Sequence, residues 1–237
     1  MINIVTVKWG TKYSASYLNK LYSGIKRNTT LPFTLHCFTD DPTGIRPEIT
    51  IHPLPANNLE GWWNKLYLFS AEFPLSGRVT YMDLDTVIVG NIDDILSQDK
   101  GFIVLRNFYT GIWPTTQGDH NVGSGIMSFN AHDHHYIWEE FIKDAENISV
   151  KLDSGDQAWI QLQQQDRLYW QDVLPEQLVS FKVHCQRGIP NNARIVCYHG
   201  KPSIPESFIK TTMVHECLRG TIGDIQPAPW MQMYWID

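Results

Sequence analysis

The chain has no excess of basic charge. Its 237 residues carry 19 Lys and Arg against 25 Asp and Glu, a formal net charge of −6. No basic stripe is present to displace the counterions of a nucleic acid, so that class of partner is not expected. Also missing is any run near the roughly 18 apolar residues that a membrane helix needs. The opening "MINIVTVKWG" has no basic leader, no long apolar stretch and no small-residue cleavage site. These absences set the expectation of a soluble, cytoplasmic protein without a transmembrane segment. The four cysteines, Cys37, Cys185, Cys197 and Cys217, show no C-x-x-C spacing. They read as free thiols in a reducing compartment, not as a zinc site, with a Cys185–Cys197 bridge left open. No internal repeat, low-complexity tract or shift in composition divides the chain, so one domain is expected over residues 1–237.

What is present is a globular composition, 43% hydrophobic and 19% charged, which argues against disorder. Nine Trp and ten Tyr suit a core, or a pocket that stacks on flat rings or sugars. "INIVTVKW" reads as a first strand. Tyr17, Leu18, Leu21, Tyr22 and Ile25 then recur at helical spacing. "FTLHCFTDD" and "EITIHPL" read as strands, "GWWNKLYLFSAEF" as a helix ended by Pro74, "VTYMDLDTVIV" as a strand and "NIDDILS" as a short helix. This alternation predicts an α/β protein with a mostly parallel central sheet and helices on both faces. In the second half, "GFIVLRN", "GSGIMSFN", "LVSFKVH" and "ARIVCYHG" read as strands; "HHYIWEEFIKDAEN" and "GDQAWIQLQQQ" read as helices.

The stretch from Val79 to Val89 holds two carboxylates, Asp83 and Asp85, inside an apolar and β-branched run. On one strand, residues two apart point to the same side, about 6.6 Å from each other along the backbone. Placed at a strand end, both could reach one hard cation; Mg²⁺ and Mn²⁺ are commonly held by one or two carboxylates with substrate phosphates. Adjacent carboxylates in apolar surroundings repel and are poorly solvated, so a partner is called for. The bland alternative is a capped turn. Asp83-Leu84-Asp85-Thr86-Val87 also fits the D-x-D-x-T/V letters of haloacid-dehalogenase-like phosphatases, in which Asp83 would be a nucleophile.

Other motifs favour a different family. The chain resembles glycosyltransferase family 8, the group of glycogenin and the bacterial lipopolysaccharide galactosyltransferases. "TYMDLDTVIV" is similar to that family's hhDADTLhh (h, apolar) and likewise follows a β-α-β start; in the phosphatases the motif opens the domain. Asn64-Lys65-Leu66 is similar to the family's upstream "TKL". Gly123-Ser124-Gly125-Ile126 matches "NSGV" except for Gly at the Asn position, with Asn121 nearby. Asp156-Gln157 matches "DQ" at a helix start. His199-Gly200-Lys201-Pro202 is a compressed H-x-x-G-x-x-K-P.

The resemblance implies a GT-A type nucleotide-diphospho-sugar transferase fold, with residues 1–100 as the nucleotide-binding half. Residues 101–237 would be the acceptor-side half with the C-terminal metal-ligand segment. It implies Mn²⁺ or Mg²⁺ on Asp83, Asp85 and His199, and a nucleotide-sugar donor, a UDP-sugar by preference. Tyr13 would lie near the uracil, Lys65 by the sugar nucleotide, and Lys201 with Gly200 at the diphosphate. Asp156 and Gln157 would line the reaction centre. The acceptor would be a glycan, a lipid carrier or a protein, and transfer would proceed with retention. A phosphatase or phosphotransferase using Asp83, and a non-catalytic carbohydrate-binding domain, are the alternatives.

Several residues carry plainer readings. Asp156 can cap its helix, and Tyr13 can pack at a helix start. Trp62 and Trp63 fit helix-on-sheet packing better than an acceptor-sugar platform. "HDHHY" (His132 to Tyr136) reads as a helix start in which Asp133 caps, rather than a zinc site. Arg106, Tyr109 and Trp113 fall in a run that could form an acceptor-facing loop.

Overall fold

The computed structural model describes residues 1–56, 59–110, 121–209 and 225–237. Trp113 and Cys217 lie outside them. The strands are β1 (Ile2–Lys8), β2 (Phe33–Thr39), β3 (Thr50–Pro53), β4 (Arg78–Met82), β5 (Thr86–Ile88), β6 (Ile103–Arg106), β7 (Val122–Asn130), β8 (Leu168–Tyr169), β9 (Leu178–Ser180) and β10 (Ile195–Cys197). Seven form one sheet in the order β3-β2-β1-β4-β7-β6-β8, and three form a smaller one, β5-β10-β9. In the large sheet β7 runs antiparallel to both its neighbours, and the other pairings are parallel. The expected α/β architecture is therefore present.

Both faces of the large sheet are covered, which is why its strands read as near-continuous apolar runs. On one face Ile4, Leu35, Met82 and Ile126 pack with Leu18, Leu21 and Ile25 of the helix Ala15–Arg27. On the other, Val5, Phe38, Tyr81 and Phe129 meet Trp63, Leu66, Phe141 and Ile160 from the helical elements there. The small sheet is sandwiched too. Ile88 and Ile195 face the first of these cores, while Val87, Val179 and Val196 face Ile225, Met231 and Trp235 of the C-terminal segment.

The structure departs from the sequence reading at four places. "VTYMDLDTVIV" is not one strand: it leaves the large sheet after Met82, turns through Asp83-Leu84-Asp85 and enters the small sheet as β5. The segment Gly61–Phe69 winds as a 3₁₀ helix in which Trp63, Asn64, Lys65 and Leu66 are all buried, not only one stripe. "LVSFKVH" is a strand only to Ser180; the Ser180 side chain accepts a hydrogen bond from the Val183 N–H and starts a helical turn, Phe181–His184. The helix read across "HHYIWEEFIKDAEN" is two, Tyr136–Ile142 and Ala145–Lys151. Cys37, Cys185 and Cys197 are buried and free, so the Cys185–Cys197 bridge is not formed.

Two local devices place the chemistry. The β6–β7 register jumps between Val104 and Leu105, whose partners are Met127 and Gly123. Ser124, Gly125 and Ile126 are thereby released from β6, and such a bulge re-aims backbone groups. The Ile126 carbonyl accepts from the indole N–H of fully buried Trp170 at 3.2 Å, and the Gly125 carbonyl accepts from the Asp83 N–H at 2.8 Å. The second device is Gly155, which precedes the helix Asp156–Gln163 with φ +65° and ψ −144°, a conformation nearly reserved for glycine. A Cβ there would also run into the indole of Trp62.

Trp170→Phe should cost about 1–3 kcal/mol by leaving the Ile126 carbonyl unpaired. Urea unfolding measures it, and an unchanged midpoint would show that the bulge does not rely on this bond. Gly155→Ala should cost at least about 1–3 kcal/mol through backbone strain. Its melting temperature should fall by several degrees, and a wild-type value would refute the role given to that turn.

Candidate active site

Asp83 and Asp85 lie just past the C-terminal end of β4, beside the same ends of parallel β1 and β2. Ligands enter open α/β sheets at this edge. Buried Leu84 anchors the turn between them in the core, so the two carboxylates project from a sheet-to-sheet crossing and not from one face of a strand.

The centre of the site is Lys65. Its ammonium lies 3.0 Å from Asp156 Oδ2 and 3.3 Å from Asp83 Oδ1, with the Lys65 and Asp156 side chains each only 6% exposed. Lys65 also donates to Ser124 Oγ at 3.0 Å. Burial works against the Lys65 charge, but Asp156 and Asp83 together hold its pKa above the ordinary lysine value. Burial pushes the Asp156 carboxyl up, and Lys65 opposes that shift. Tyr81, two residues before Asp83 and on the same side of β4, donates its hydroxyl to Asp83 Oδ1 at 2.5 Å. Burial and the Asp83 charge keep that phenol protonated, with its pKa well above the ordinary value. Gln157 is half-buried at the same helix start.

Asp85 accepts a hydrogen bond from the Tyr13 hydroxyl at 2.6 Å. Burial and the neighbouring Asp83 charge raise its carboxyl to about 6, against the pull of Tyr13. Tyr13 packs on Tyr17, with ring centroids 5.0 Å apart. The Asp85 carbonyl accepts from the Tyr198 N–H at 3.0 Å, which brings His199 to the crossing. Nε2 of His199 is 2.7 Å from Ser180 Oγ, and Nδ1 is 3.4 Å from the Tyr109 hydroxyl. Burial, Lys182 and His184 lower the His199 pKa to about 3, so the imidazole is neutral and able to act as a ligand.

Two carboxylates, Asp83 and Asp156, thus share one buried ammonium, and Asp85, held by Tyr13, stands beside them. That donor set suits a hard divalent cation. A Cβ on Gly125 would stand 3.2 Å from Asp83 Oδ2, so this oxygen borders space that any side chain would fill. Asp83 and Asp85 fit a cation; His199 fits by chemistry but is engaged by Ser180. Among the described residues, no group of three His, Cys, Asp or Glu side chains is drawn together tightly enough to hold a metal by itself.

The remaining residues sort clearly. Lys201 is exposed, with its ammonium 3.0 and 3.1 Å from the two Glu206 carboxylate oxygens. Gly200 is exposed with φ +67°. Trp63 is buried and stacked on Phe141, and Trp62 covers Gly155. Asp133 accepts from the Asn130 side chain beside the His132 turn. Arg106 pairs with Asp172, and Tyr109 reaches His199. Sequence reasoning missed Tyr81, Ser180 and Lys182, and it quoted Ser124 within the Gly123–Ile126 motif without giving it a role. Tyr81 was detectable from strand alternation with Asp83, and Lys182 as a lone charge within an apolar run.

Lys65→Met should cost about 3–5 kcal/mol, because it leaves Asp83 and Asp156 without their counter-charge. A variant with unchanged denaturant midpoint would show that Lys65 does not hold the cluster together.

No protein-family model matches the sequence, and no curated protein does. Solved structures do match in fold. The glycosyltransferase GlyE of Streptococcus pneumoniae TIGR4 aligns over 100% of this chain and 62% of its own, with TM-score 0.69 and 11% identity. This chain therefore spans about six tenths of the GlyE length. The galactosyltransferase LgtC, solved with donor and acceptor sugar analogs, aligns over 85% of this chain and 88% of its own, with TM-score 0.59 and 12% identity. The bifunctional glycosyltransferase WbbM aligns over 85% and 46%, with TM-score 0.56 and 10% identity. Likeness at such identities speaks for architecture alone, and the architecture is the GT-A type fold that these glycosyltransferase structures share.

Proposed function

We propose that the chain is a metal-dependent glycosyltransferase that moves a sugar from a nucleotide-sugar donor, a UDP-sugar by preference, with retention of configuration. The observation that carries this reading is the Lys65–Asp83–Asp156 cluster, set beside Asp85 at the ligand-binding edge of a glycosyltransferase fold. UDP-sugar use and retention rest on the motif resemblance.

Asp83 and Asp85 would hold Mn²⁺ or Mg²⁺, and His199 would join them after exchanging its bond to Ser180. The cation, when bound, supplies Lewis-acid stabilisation of the leaving diphosphate. The protein's own residues do the rest. Tyr81 and Lys65 fix one oxygen of Asp83, and Tyr13 fixes one oxygen of Asp85. The two carboxylates are thereby oriented before any ligand arrives, which lowers the reorganisation needed on binding. Lys65 holds Asp156 at the start of its helix, so Asp156 and Gln157 line the sugar side of the site. The acceptor is a glycan, a lipid carrier or a protein. No observation favours the phosphatase reading, because Asp83 follows the fourth strand and its Oδ1 is taken by Tyr81 and Lys65.

Calorimetry of UDP with and without Mn²⁺, against ADP and GDP, tests the reading. Mn²⁺-dependent binding selective for UDP is expected. Asp85→Asn should remove the Mn²⁺-dependent part of that affinity while circular dichroism stays wild-type. Affinity unchanged in this variant would refute the cation role of the pair, and a folded wild-type protein that binds no nucleotide would refute the transferase reading.

A further inference from the structure

We propose that Trp62 is the platform on which the acceptor lays a pyranose ring, so that the acceptor is a glycan; the inference rests on the glycosyltransferase reading above. Neighbouring tryptophans at 62 and 63 both suit packing when read from sequence, but the structure separates them. Trp63 is 7% exposed and stacked on Phe141, as a core residue should be. Trp62 is 54% exposed. Among the described residues, no ring stacks on its indole and no group accepts from its N–H. A lone exposed aromatic is common on protein surfaces; this one is held at the edge of the candidate site.

Trp62 stands three residues before Lys65 in the 3₁₀ helix Gly61–Phe69. Side chains three apart eclipse in such a helix, about 6 Å from each other along its axis. Both meet the start of the helix Asp156–Gln163. Lys65 Nζ lies 3.0 Å from Asp156 Oδ2. The indole of Trp62 lies on the residue just before: a Cβ on Gly155 would fall 2.6 and 2.7 Å from its Cδ1 and Cε2. The indole thus fills the space that a side chain at 155 would need, and Gly155 gives it a seat. One edge of the ring is fixed against backbone while much of its surface stays in water. A flat apolar surface already held in place loses little freedom when a ligand covers it.

Contacts run from Asp83 to Lys65 at 3.3 Å, from Lys65 to Asp156 at 3.0 Å, and through Gly155 to Trp62. Tyr13 and Asp85 lie at the other end of this series. Trp62 therefore borders the sugar side of the proposed site, not the nucleotide side. The chemistry of the surface selects the occupant. A pyranose offers a face of C–H groups that an indole can cover, with hydroxyls around its rim left free for polar neighbours. A lipid carrier would need a broader apolar surface, and the residues leading into Trp62, Glu60 and Gly61, are exposed and not apolar. A serine or threonine of a protein acceptor has no flat face to lay on the ring.

The test titrates methyl β-D-galactopyranoside, methyl β-D-glucopyranoside and methyl N-acetyl-β-D-glucosaminide into the protein with UDP and Mn²⁺ present, followed by NMR. At least one glycoside should bind wild type. Trp62→Ala should weaken it roughly tenfold or more, as truncation of an anchoring tryptophan does, and Trp62→Phe, which keeps a flat ring, should recover most of the loss. Calorimetry should find the affinity for UDP, UDP-galactose and UDP-glucose within about twofold of wild type in both variants. Glycoside binding unchanged in Trp62→Ala overturns the proposal, as does a wild type that binds UDP but none of the glycosides. Parallel loss of UDP and glycoside overturns it too, since a merely structural role predicts that. A loss confined to the UDP-sugars, with UDP unchanged, would give the ring to the transferred sugar and overturn the acceptor assignment. In each of these cases the transferase reading stands; if wild type binds no nucleotide, that reading falls and this inference with it.

Discussion

One buried ammonium organises this molecule. Lys65 is contributed by a 3₁₀ helix, and its partners come from the end of β4, the bulge of β7 and the start of the helix Asp156–Gln163. Four separate segments are therefore joined by one charge. A buried ion pair is a poor source of net stability, because desolvation offsets most of the attraction. Its value lies in the penalty for any arrangement that separates the partners. Tyr81 and Ser124 add the neutral donors and acceptors that a network of this kind requires.

Around that point the fold supplies fixed backbone. The β6–β7 register jump frees three consecutive residues, and each then has its own partner: Lys65 on Ser124, the Asp83 N–H on Gly125, the Trp170 indole on Ile126. A regular ladder would have spent the Ile126 carbonyl on β6. Gly155 does for the helix start what the bulge does for the strand, delivering Asp156 inward at an angle that other residues cannot adopt.

Much of this was legible in the sequence, and the failures have physical reasons. Strand β1 and the helix Ala15–Arg27 could be read because their apolar periods were clean. Asp83 could be singled out because charge in an apolar setting demands a partner, Lys65 and Asp156 through the motif resemblance, and all three are found together. The division of "VTYMDLDTVIV" between two sheets was hidden. Both halves are buried on both faces, so the apolar run shows no break. The helical turn inside "LVSFKVH" was hidden as well, since a serine cap resembles any other strand serine until its hydroxyl finds Val183. The β7 bulge left no trace in composition, because it is a matter of register and not of residue type.

The crossing at Asp83-Leu84-Asp85 has a consequence for rigidity. Asp83 is rooted in the large sheet, while Asp85 and His199 are rooted in the small one through β5 and β10. The distance between the carboxylates is therefore not set by a strand's pleat. It is set by how closely two independent sheets seat against each other across Leu84, Ile88 and Ile195. The gap that would grip a cation is the visible end of a hydrophobic joint, and the aliphatic residues in that joint, none of them able to bind a cation, are what calibrate it.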